Sequence, residues 1–202
     1  MKITYSLFGV IIIAVVIIAV MYVPRSDEAQ QDDSATMTAT TSPMKETFSL
    51  TSSAFEPDGR IPSKYTCDGD RRINPPLEFS GVPEGTKVLV LIMGDPDVPK
   101  QLHPDGVFDH WVVFNISPDA KGVPEGGPVP GVAGANGAGV SAYTGPCPPP
   151  QYEPSEHRYI FKLYALGAPL ALASGATKSE VLEALAPVKL AEVELIGRYS
   201  RK

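Results

Sequence analysis

The fold is decided by one stretch of the sequence, residues 88–99, which reads VLVLIMGDPDVP. Its first half, residues 88–93, is an uninterrupted apolar run with the length of a strand that is buried on both faces. Its second half carries two carboxylates, Asp95 and Asp97, in a loop that two prolines stiffen. We expect one carboxylate to point inward and the other to hold the loop. Acidic groups on a stiff loop at a strand end are typical of a small polar pocket on a rigid β scaffold.

Six runs along the chain predict short β-strands. Each is apolar or alternates between apolar and polar residues, and turn signals separate the runs, in a chain with 21 prolines and 18 glycines. The runs are residues 48–52, 77–79, 87–93, 111–116, 158–166 and 189–196. Strands at this spacing predict an all-β dominated domain, a β-sandwich with Greek-key crossings.

One helix is predicted near the C-terminus. Thr177 and Glu180 have the spacing of a capping box, in which the threonine is the N-cap. Apolar residues at helical spacing follow, and Pro187 ends the run. The β-sandwich is therefore expected to carry one C-terminal helix.

The N-terminal part of the chain differs from the rest in composition. Residues 3–23 are uncharged and rich in Ile, Val and Ala, and they are long enough to cross a bilayer core of ~30 Å as a helix. Because Lys2 precedes this run, we expect residues 1–25 to be a single-pass transmembrane anchor with the following domain outside the cytoplasm. A signal peptide, cleaved to leave a secreted or periplasmic protein, is the alternative.

The remainder of the chain divides into a linker and a domain. Residues 26–45 are rich in Thr, Ser, Ala, Gln and Asp and show no apolar period, which predicts a flexible linker. Residues 46–202 contain all the predicted strands and the helix, and they form the predicted domain.

Charge and motifs exclude several classes of function. The formal net charge is -6 and the chain has no Lys/Arg cluster, which argues against a nucleic-acid-binding surface. The sequence contains no HExxH motif, no Cys-x-x-Cys motif and no paired histidine spacing, so we expect no metal or other cofactor. It also lacks a nucleophile elbow, so we expect no catalysis.

Taken one at a time, the polar residues have ordinary structural interpretations. Asp-Pro pairs make turns, His110 can be a satisfied histidine at a strand end, and Tyr159 can lie in the core. Cys67 and Cys147 can form a disulfide in an exported domain, or they can remain separate thiols that pack as small hydrophobes. The sequence leaves this pairing open because geometry decides it.

Six motifs follow one another along the domain. They are YTCDG at residues 65–69, PPLEF at 75–79, DPDVP at 95–99, HWVVFNI at 110–116, GPCPP at 145–149 and HRY at 157–159. Each motif alone is weakly specific, but the ordered set is highly specific. Together they resemble the phosphatidylethanolamine-binding protein family, which includes the Raf kinase inhibitor proteins, and most closely its bacterial and archaeal branch. The resemblance implies a β-sandwich with a small pocket at one end that accepts phosphate-like headgroups.

The resemblance also implies which residues form this pocket. By match of motif they are Asp95, Asp97, His110, Gly145, Pro146, His157 and Tyr159, the glycine and proline being at the rim. A neutral or protonated imidazole and a tyrosine hydroxyl would donate to phosphate oxygens. We expect Asp95 to orient His110 and favour its protonated form, or to bind the ammonium of an ethanolamine-like group.

Two positions depart from the family pattern. Val98 stands where the family usually has alanine, and Ser155 stands where it usually has glycine, two residues before His157. Ser155 belongs to an inserted segment, residues 151–156, which adds two carboxylates. We expect these carboxylates near the rim, where they would weaken anion binding.

Sequence and resemblance together predict an extracytoplasmic, membrane-tethered regulatory module that binds an anion or a phospholipid headgroup without catalysis. Its expected partners are a phosphate-like small ligand and the membrane, through residues 3–23, but no nucleic acid. The alternative is an inhibitor of serine or cysteine peptidases, because several members of the family inhibit such enzymes. In that case the Pro/Gly-rich residues 121–142 would present a strand-like segment to the peptidase.

Overall fold

The computed structural model describes residues 46–201 of the chain. They form β1 (Ser49–Thr51), β2 (Leu77–Ser80), β3 (Val88–Asp95), β4 (Phe108–Ile116), β5 (Gly122–Val123), β6 (Val132–Ala133), β7 (Glu156–Leu166), α1 (Lys178–Leu185) and β8 (Lys189–Ser200). Short 3-10 helices span Ser63–Tyr65 and Ala186–Val188. The six predicted strands and the predicted helix are confirmed, with ends that differ by a few residues.

The predicted anchor and linker, residues 1–25 and 26–45, lie outside the described part of the chain. Within residues 46–201, no helix combines the length and the apolar character that a membrane crossing requires.

The strands form two antiparallel sheets that share one hydrophobic core. The smaller sheet has the order β1-β2-β5, and the larger has the order β6-β4-β3-β7-β8. Because β7 returns to lie beside β3, the spatial order β7-β3-β4-β6 is that of a Greek key. Leu50 and Phe79 of the smaller sheet and Leu91 and Phe161 of the larger one lie in the same buried cluster. The mostly β domain with one late helix is therefore confirmed.

Strand β3 is buried on both of its faces. Leu89, Leu91 and Met93 lie in the core between the two sheets, whereas Val90 and Ile92 lie in a second cluster on the opposite face. None of these five side chains is more than 4% exposed. A strand that is covered on both faces needs apolar residues at every position, which explains its uninterrupted apolar sequence.

Helix α1 covers the outer face of the larger sheet. Thr177 Oγ1 accepts from the N–H of Glu180, and the Glu180 carboxylate accepts from the N–H of Thr177, which is the predicted capping box. Val181 and Leu185 are buried in the same cluster as Phe114 of β4. The helix therefore stabilises the face of the sheet that lies opposite the shared core.

Candidate functional site

A cavity of about 270 Å³ lies where β3 ends and where β4 and β7 begin. Four of the seven predicted site residues line it, namely Asp95, His110, Gly145 and His157. The other three, Asp97, Pro146 and Tyr159, do not line the cavity but contact or adjoin residues that do.

Strand pairing and a bulge bring the polar side chains of the cavity together. Strands β3 and β7 pair up to Gly94, so Asp95 at the end of β3 lies beside the first residues of β7. In β4 the pairing with β3 passes from Trp111 to Asp109 without a partner for His110, so the strand bulges there. A β-bulge redirects a side chain, and it explains how His110 reaches the cavity.

Asp95 orients His157, and not His110 as predicted. Its Oδ2 lies 2.7 Å from Nδ1 of His157, and both side chains are almost completely buried. Its Oδ1 accepts a hydrogen bond from the N–H of Asp97 at 2.9 Å. The predicted orientation of His110 was wrong because β7 begins directly beside the end of β3, whereas the acceptor at the His110 ring is a backbone carbonyl. The charge of Asp95 does act to raise the pKa of His110, as expected.

His110 is held by the backbone of the segment that follows β6. Its Nδ1 lies 2.5 Å from the carbonyl oxygen of Thr144. Because a carbonyl oxygen can only accept, Nδ1 carries the hydrogen. Burial lowers the pKa of His110 below its ordinary value, although the bond to Thr144 and the charge of Asp95 act in the opposite direction. The ring therefore stays neutral near neutral pH.

Asp97 holds the loop after β3 and does not face the cavity. Its carboxylate accepts from Nε and Nη2 of Arg158 at 2.9 and 2.7 Å and from the Arg158 backbone N–H at 2.9 Å. These hydrogen bonds lower the pKa of Asp97. This geometry agrees with the expectation that one carboxylate, that of Asp95, points inward and the other, that of Asp97, holds the loop.

Tyr159 lies beneath the cavity in the core. Its ring packs edge-on against His110, with centroids 5.2 Å apart, and its hydroxyl has no hydrogen-bond partner among residues 46–201. Burial raises the pKa of Tyr159 well above its ordinary value, and the negative charge of Asp95 adds to the shift. The hydroxyl therefore remains protonated at every physiological pH.

Gly145 and Pro146 form a wall that hydrogen bonds tie to the segment before β2. The N–H of Gly145 donates to the carbonyl of Arg71 at 2.7 Å, so it is not free to bind a ligand. The carbonyl of Pro146 accepts from the N–H of Cys67 at 3.0 Å. A Cβ on Gly145 would lie only 2.1 Å from the carbonyl oxygen of Tyr65, so the wall requires glycine at this position.

Cys67 and Cys147 form a disulfide, which decides the pairing that the sequence left open. Their Cα atoms are 5.3 Å apart, and the bond joins positions separated by 80 residues. Cys147 itself lines the cavity. The disulfide therefore anchors the same wall that Gly145 and Pro146 form.

The inserted segment, residues 151–156, does not reach the cavity. Glu153 and Glu156 are both exposed, and neither lines it. Glu153 instead borders the loop after β3, in a surface pocket that it shares with Asp97 and Val98. That these carboxylates weaken anion binding stays a prediction.

Arg71 lines the cavity, although the sequence did not predict it. It is exposed and makes no ion pair within residues 46–201, whereas its neighbour Arg72 pairs with Asp70. Two consecutive arginines in an acidic chain were the available signal. His103 and Thr144 also line the cavity, and apolar side chains complete the lining, namely Val98, Leu102, Phe108, Pro148 and Pro149. In this part of the chain no group of three His, Cys, Asp or Glu side chains is placed to hold a metal ion.

Comparison with protein families places the chain among known sequences. Residues 51–200 match the family described as phosphatidylethanolamine-binding protein. A UPF0098 protein of Methanothermobacter thermautotrophicus is 48% identical over 160 residues, which cover 76% of this chain and 99% of that protein. A UPF0098 protein of Chlamydia trachomatis is 45% identical over 152 residues, which cover 75% of this chain and 98% of that protein.

Two solved structures resemble the described domain. One is a Chlamydia trachomatis homologue described as a putative phosphatidylethanolamine-binding protein. It has a TM-score of 0.72 and 44% identity, and the match covers 77% of this chain and 98% of that one. The other is Escherichia coli YbcL, described as a new member of the mammalian family. It has a TM-score of 0.67 and 28% identity, with 77% and 99% coverage.

Proposed function

The chain belongs to the phosphatidylethanolamine-binding protein family, and on this premise we propose that it is a non-catalytic module that binds a small phosphate-type anion. The anion is either a free phosphate compound or the phosphate of a phospholipid headgroup. The observation that carries the proposal is Nε2 of His157, which is buried at the cavity without a hydrogen-bond partner in the described protein. An unsatisfied buried polar atom costs about 1–3 kcal/mol, and a ligand that bonds it removes this cost.

The size of the cavity suits a headgroup better than a large metabolite. Its volume is about 270 Å³, just below the range of roughly 300–1,000 Å³ that is usual for drug-sized ligands. Asp95, His110 and His157 provide the polar floor, and apolar side chains surround them. A small anion would therefore gain a few directed hydrogen bonds within a half-open site.

Arg71 supplies the positive charge that the proposal requires. Its guanidinium is always protonated, and its planar set of N–H donors matches the oxygens of a phosphate. Because no carboxylate in the described residues pairs with it, Arg71 is available to a ligand at the rim. The chain as a whole is acidic, so this local cation would also direct an anion to the cavity.

The chemistry of the lining supports binding without catalysis. Thr144 and Cys147 are the lining residues in the described chain that carry a hydroxyl or a sulfur atom. Thr144 Oγ1 accepts a hydrogen bond from Asn136, and Cys147 is held in the disulfide. Covalent catalysis needs an activated nucleophile beside a base, and neither group meets that requirement.

We also propose that the domain lies outside the cytoplasm on a membrane anchor formed by residues 3–23. The length of that uncharged run supports the anchor, and the disulfide independently supports an oxidising compartment. Protease treatment of intact cells that express the chain tests this location. Cleavage of the domain only after lysis would contradict it, and release of the domain without its N-terminal segment would favour a cleaved signal.

No comparable observation favours peptidase inhibition. The hypothesis needs residues 121–142 as a free loop, but Gly122–Val123 pairs with β2 and Val132–Ala133 pairs with β4. The stretch is therefore tied to both sheets, which does not suit a segment that must enter a peptidase active site.

Titration calorimetry with inorganic phosphate tests the proposed binding. Heat that saturates in the millimolar range or below supports the proposal. No binding heat up to ~10 mM phosphate, which corresponds to an affinity weaker than about -3 kcal/mol, contradicts it. A titration with sodium chloride at matched ionic strength controls for unspecific ionic effects.

A further inference from the structure

Three imidazoles line the cavity, and two of them, those of His110 and His157, use Nδ1 as a donor inside the protein. His110 Nδ1 donates to the carbonyl of Thr144 at 2.5 Å, and His157 Nδ1 donates to the carboxylate of Asp95 at 2.7 Å. A neutral imidazole has a single N–H. In their neutral forms both rings therefore carry the hydrogen on Nδ1 and a lone pair on Nε2.

The Nε2 atoms are the ring nitrogens left for a ligand. His157 Nε2 is buried without a partner, and within residues 46–201 His110 makes its side-chain hydrogen bond through Nδ1 alone. Both residues line the cavity. A ligand oxygen without a hydrogen, placed against such a nitrogen, meets lone pair against lone pair. A ligand oxygen that carries a hydrogen can donate it.

We propose that the cavity selects an oxyanion that brings its own hydrogen, such as hydrogen phosphate, over an oxyanion of the same shape without one, such as sulfate. The selectivity rests on the proposed binding of a phosphate-type anion. Arg71 cannot provide it, because a guanidinium donates equally to either oxyanion. The discrimination comes from Nε2 of His110, the ring whose Nδ1 donates to Thr144 and whose burial opposes protonation.

Protonation of His110 would abolish this selectivity, because Nε2 would then donate a hydrogen bond. The surroundings of the ring oppose that protonation. The titratable groups around His110 are Asp95 of β3, Asp109 of β4, His157 and Tyr159 of β7, and Arg71 and His103, which line the same cavity. Burial opposes protonation of His110 most strongly, and a charged His157 opposes it further, whereas the two carboxylates favour it. Because burial dominates, the pKa of His110 is lowered and the ring gains a proton only in acid. Sulfate should therefore approach phosphate in affinity only well below neutral pH.

The same chemistry applies to a lipid headgroup. A phosphodiester has no P–OH group, but the ammonium of ethanolamine has three N–H donors, whereas the quaternary ammonium of choline has none. Inorganic phosphate and glycerophosphoethanolamine are thus two possible sources of the required donor. A pair of soluble diesters, glycerophosphoethanolamine and glycerophosphocholine, separates the headgroup source from the free-phosphate source.

Titration calorimetry of the domain with phosphate and with sulfate at ~pH 7.5 and ~pH 5.5 tests the selectivity. We expect phosphate to bind at least about tenfold more tightly at the higher pH and this ratio to shrink at the lower pH. Equal affinities at the higher pH would overturn the selectivity and leave the proposed function intact. Binding of neither oxyanion nor of either diester would overturn the proposed function as well.

A variant and a spectroscopic measurement test the selectivity without relying on the wild-type affinities alone. His110→Gln replaces the acceptor by an amide that can also donate, so sulfate should gain at least about threefold relative to phosphate. Glu183→Gln, on the exposed face of α1, is the surface control and should leave the ratio unchanged. Nitrogen-15 NMR of the wild-type protein at ~pH 7.5 should show the hydrogen of His110 on Nδ1 and none on Nε2. A hydrogen on Nε2 of His110 would contradict the selectivity even if the variant does not fold.

Discussion

Nδ1 of His157 donates a hydrogen bond to Oδ2 of Asp95 at 2.7 Å, between two side chains that are 1% and 4% exposed. The pair joins the end of β3 to the beginning of β7. The remaining oxygen of Asp95 accepts from the N–H of Asp97, so one buried carboxylate fixes both a ring and a loop. Interactions of this kind stabilise the fold and set the geometry of the site together.

Asp95→Asn should reduce both stability and phosphate binding. The amide loses the charge-assisted bond to His157, and we expect the free energy of unfolding to fall by about 1–3 kcal/mol. Urea denaturation and phosphate titration measure the two effects. Asp119→Asn, at an exposed turn position, is the control and should change neither quantity appreciably. Full stability in the Asp95 variant would show that the pair contributes little.

Arg71→Gln should weaken phosphate binding about tenfold or more, because it removes a charged donor worth about 1.5–3 kcal/mol. The adjacent Arg72→Gln is a matched control, since Arg72 is exposed, pairs with Asp70 and does not line the cavity. Calorimetry on both variants measures the difference. If both variants lost the same amount of phosphate affinity, the cause would be a diffuse electrostatic effect and not a contact made by Arg71.

Gly145→Ala should destabilise the domain by about 1–3 kcal/mol, because the added methyl group meets a backbone carbonyl that cannot move aside. Gly94→Ala is the matched control, since a Cβ there finds its nearest neighbour at an ordinary distance of 3.6 Å. Thermal denaturation compares the two variants. If Gly145→Ala left the stability of the domain unchanged, the wall formed by Gly145 and Pro146 could shift without cost.

Reduction of the disulfide should lower the free energy of unfolding by about 4 kcal/mol, given the long loop that it closes. Urea denaturation with and without dithiothreitol measures this difference. The chain has only these two cysteines, so the Cys67→Ser/Cys147→Ser variant should be as unstable as the reduced protein and insensitive to the reductant. A reductant effect on that variant would point to a different cause.

The ion pair of Asp97 and Arg158 should make stability depend on pH in acid. The pKa of Asp97 is lowered in the folded protein, so its contribution is present above the ordinary Asp pKa of ~3.9 and is lost as pH falls through the lower, folded value. Because Arg158 is largely exposed, we expect a contribution of about 1 kcal/mol or less.

Denaturation of the wild type and of Asp97→Asn at about pH 6 and about pH 2.5 measures this contribution. The wild type should be more stable at the higher pH, and the two proteins should converge at the lower one. If the difference in the free energy of unfolding between the two proteins stayed constant with pH, the ionised carboxylate of Asp97 could not be its source.

The strands could be predicted from the sequence because burial imposes a local pattern. Strand β3 is covered on both faces, so its apolar run is visible without any knowledge of its partners. The capping box of Thr177 and Glu180 is equally local, since both residues lie in the first turn of one helix. Features that depend on a few neighbouring residues were therefore recovered.

The partners within the site could not be predicted in this way. Asp95 and His157 are 62 positions apart, and the bulge that turns His110 towards the cavity appears only when β4 is paired with β3. Arg71 reaches the cavity because its backbone carbonyl binds the N–H of Gly145. Each of these contacts depends on the pairing of distant segments, which leaves no local signature.

The exposure of the inserted segment, residues 151–156, offers a site for a fluorescent reporter. Ser155 is exposed and only two positions before His157, yet its segment does not line the cavity. Since both native cysteines are joined to each other, a Ser155→Cys variant would present a single thiol for labelling. A dye attached there would sit close enough to β7 to sense ligand entry while leaving the binding groups untouched.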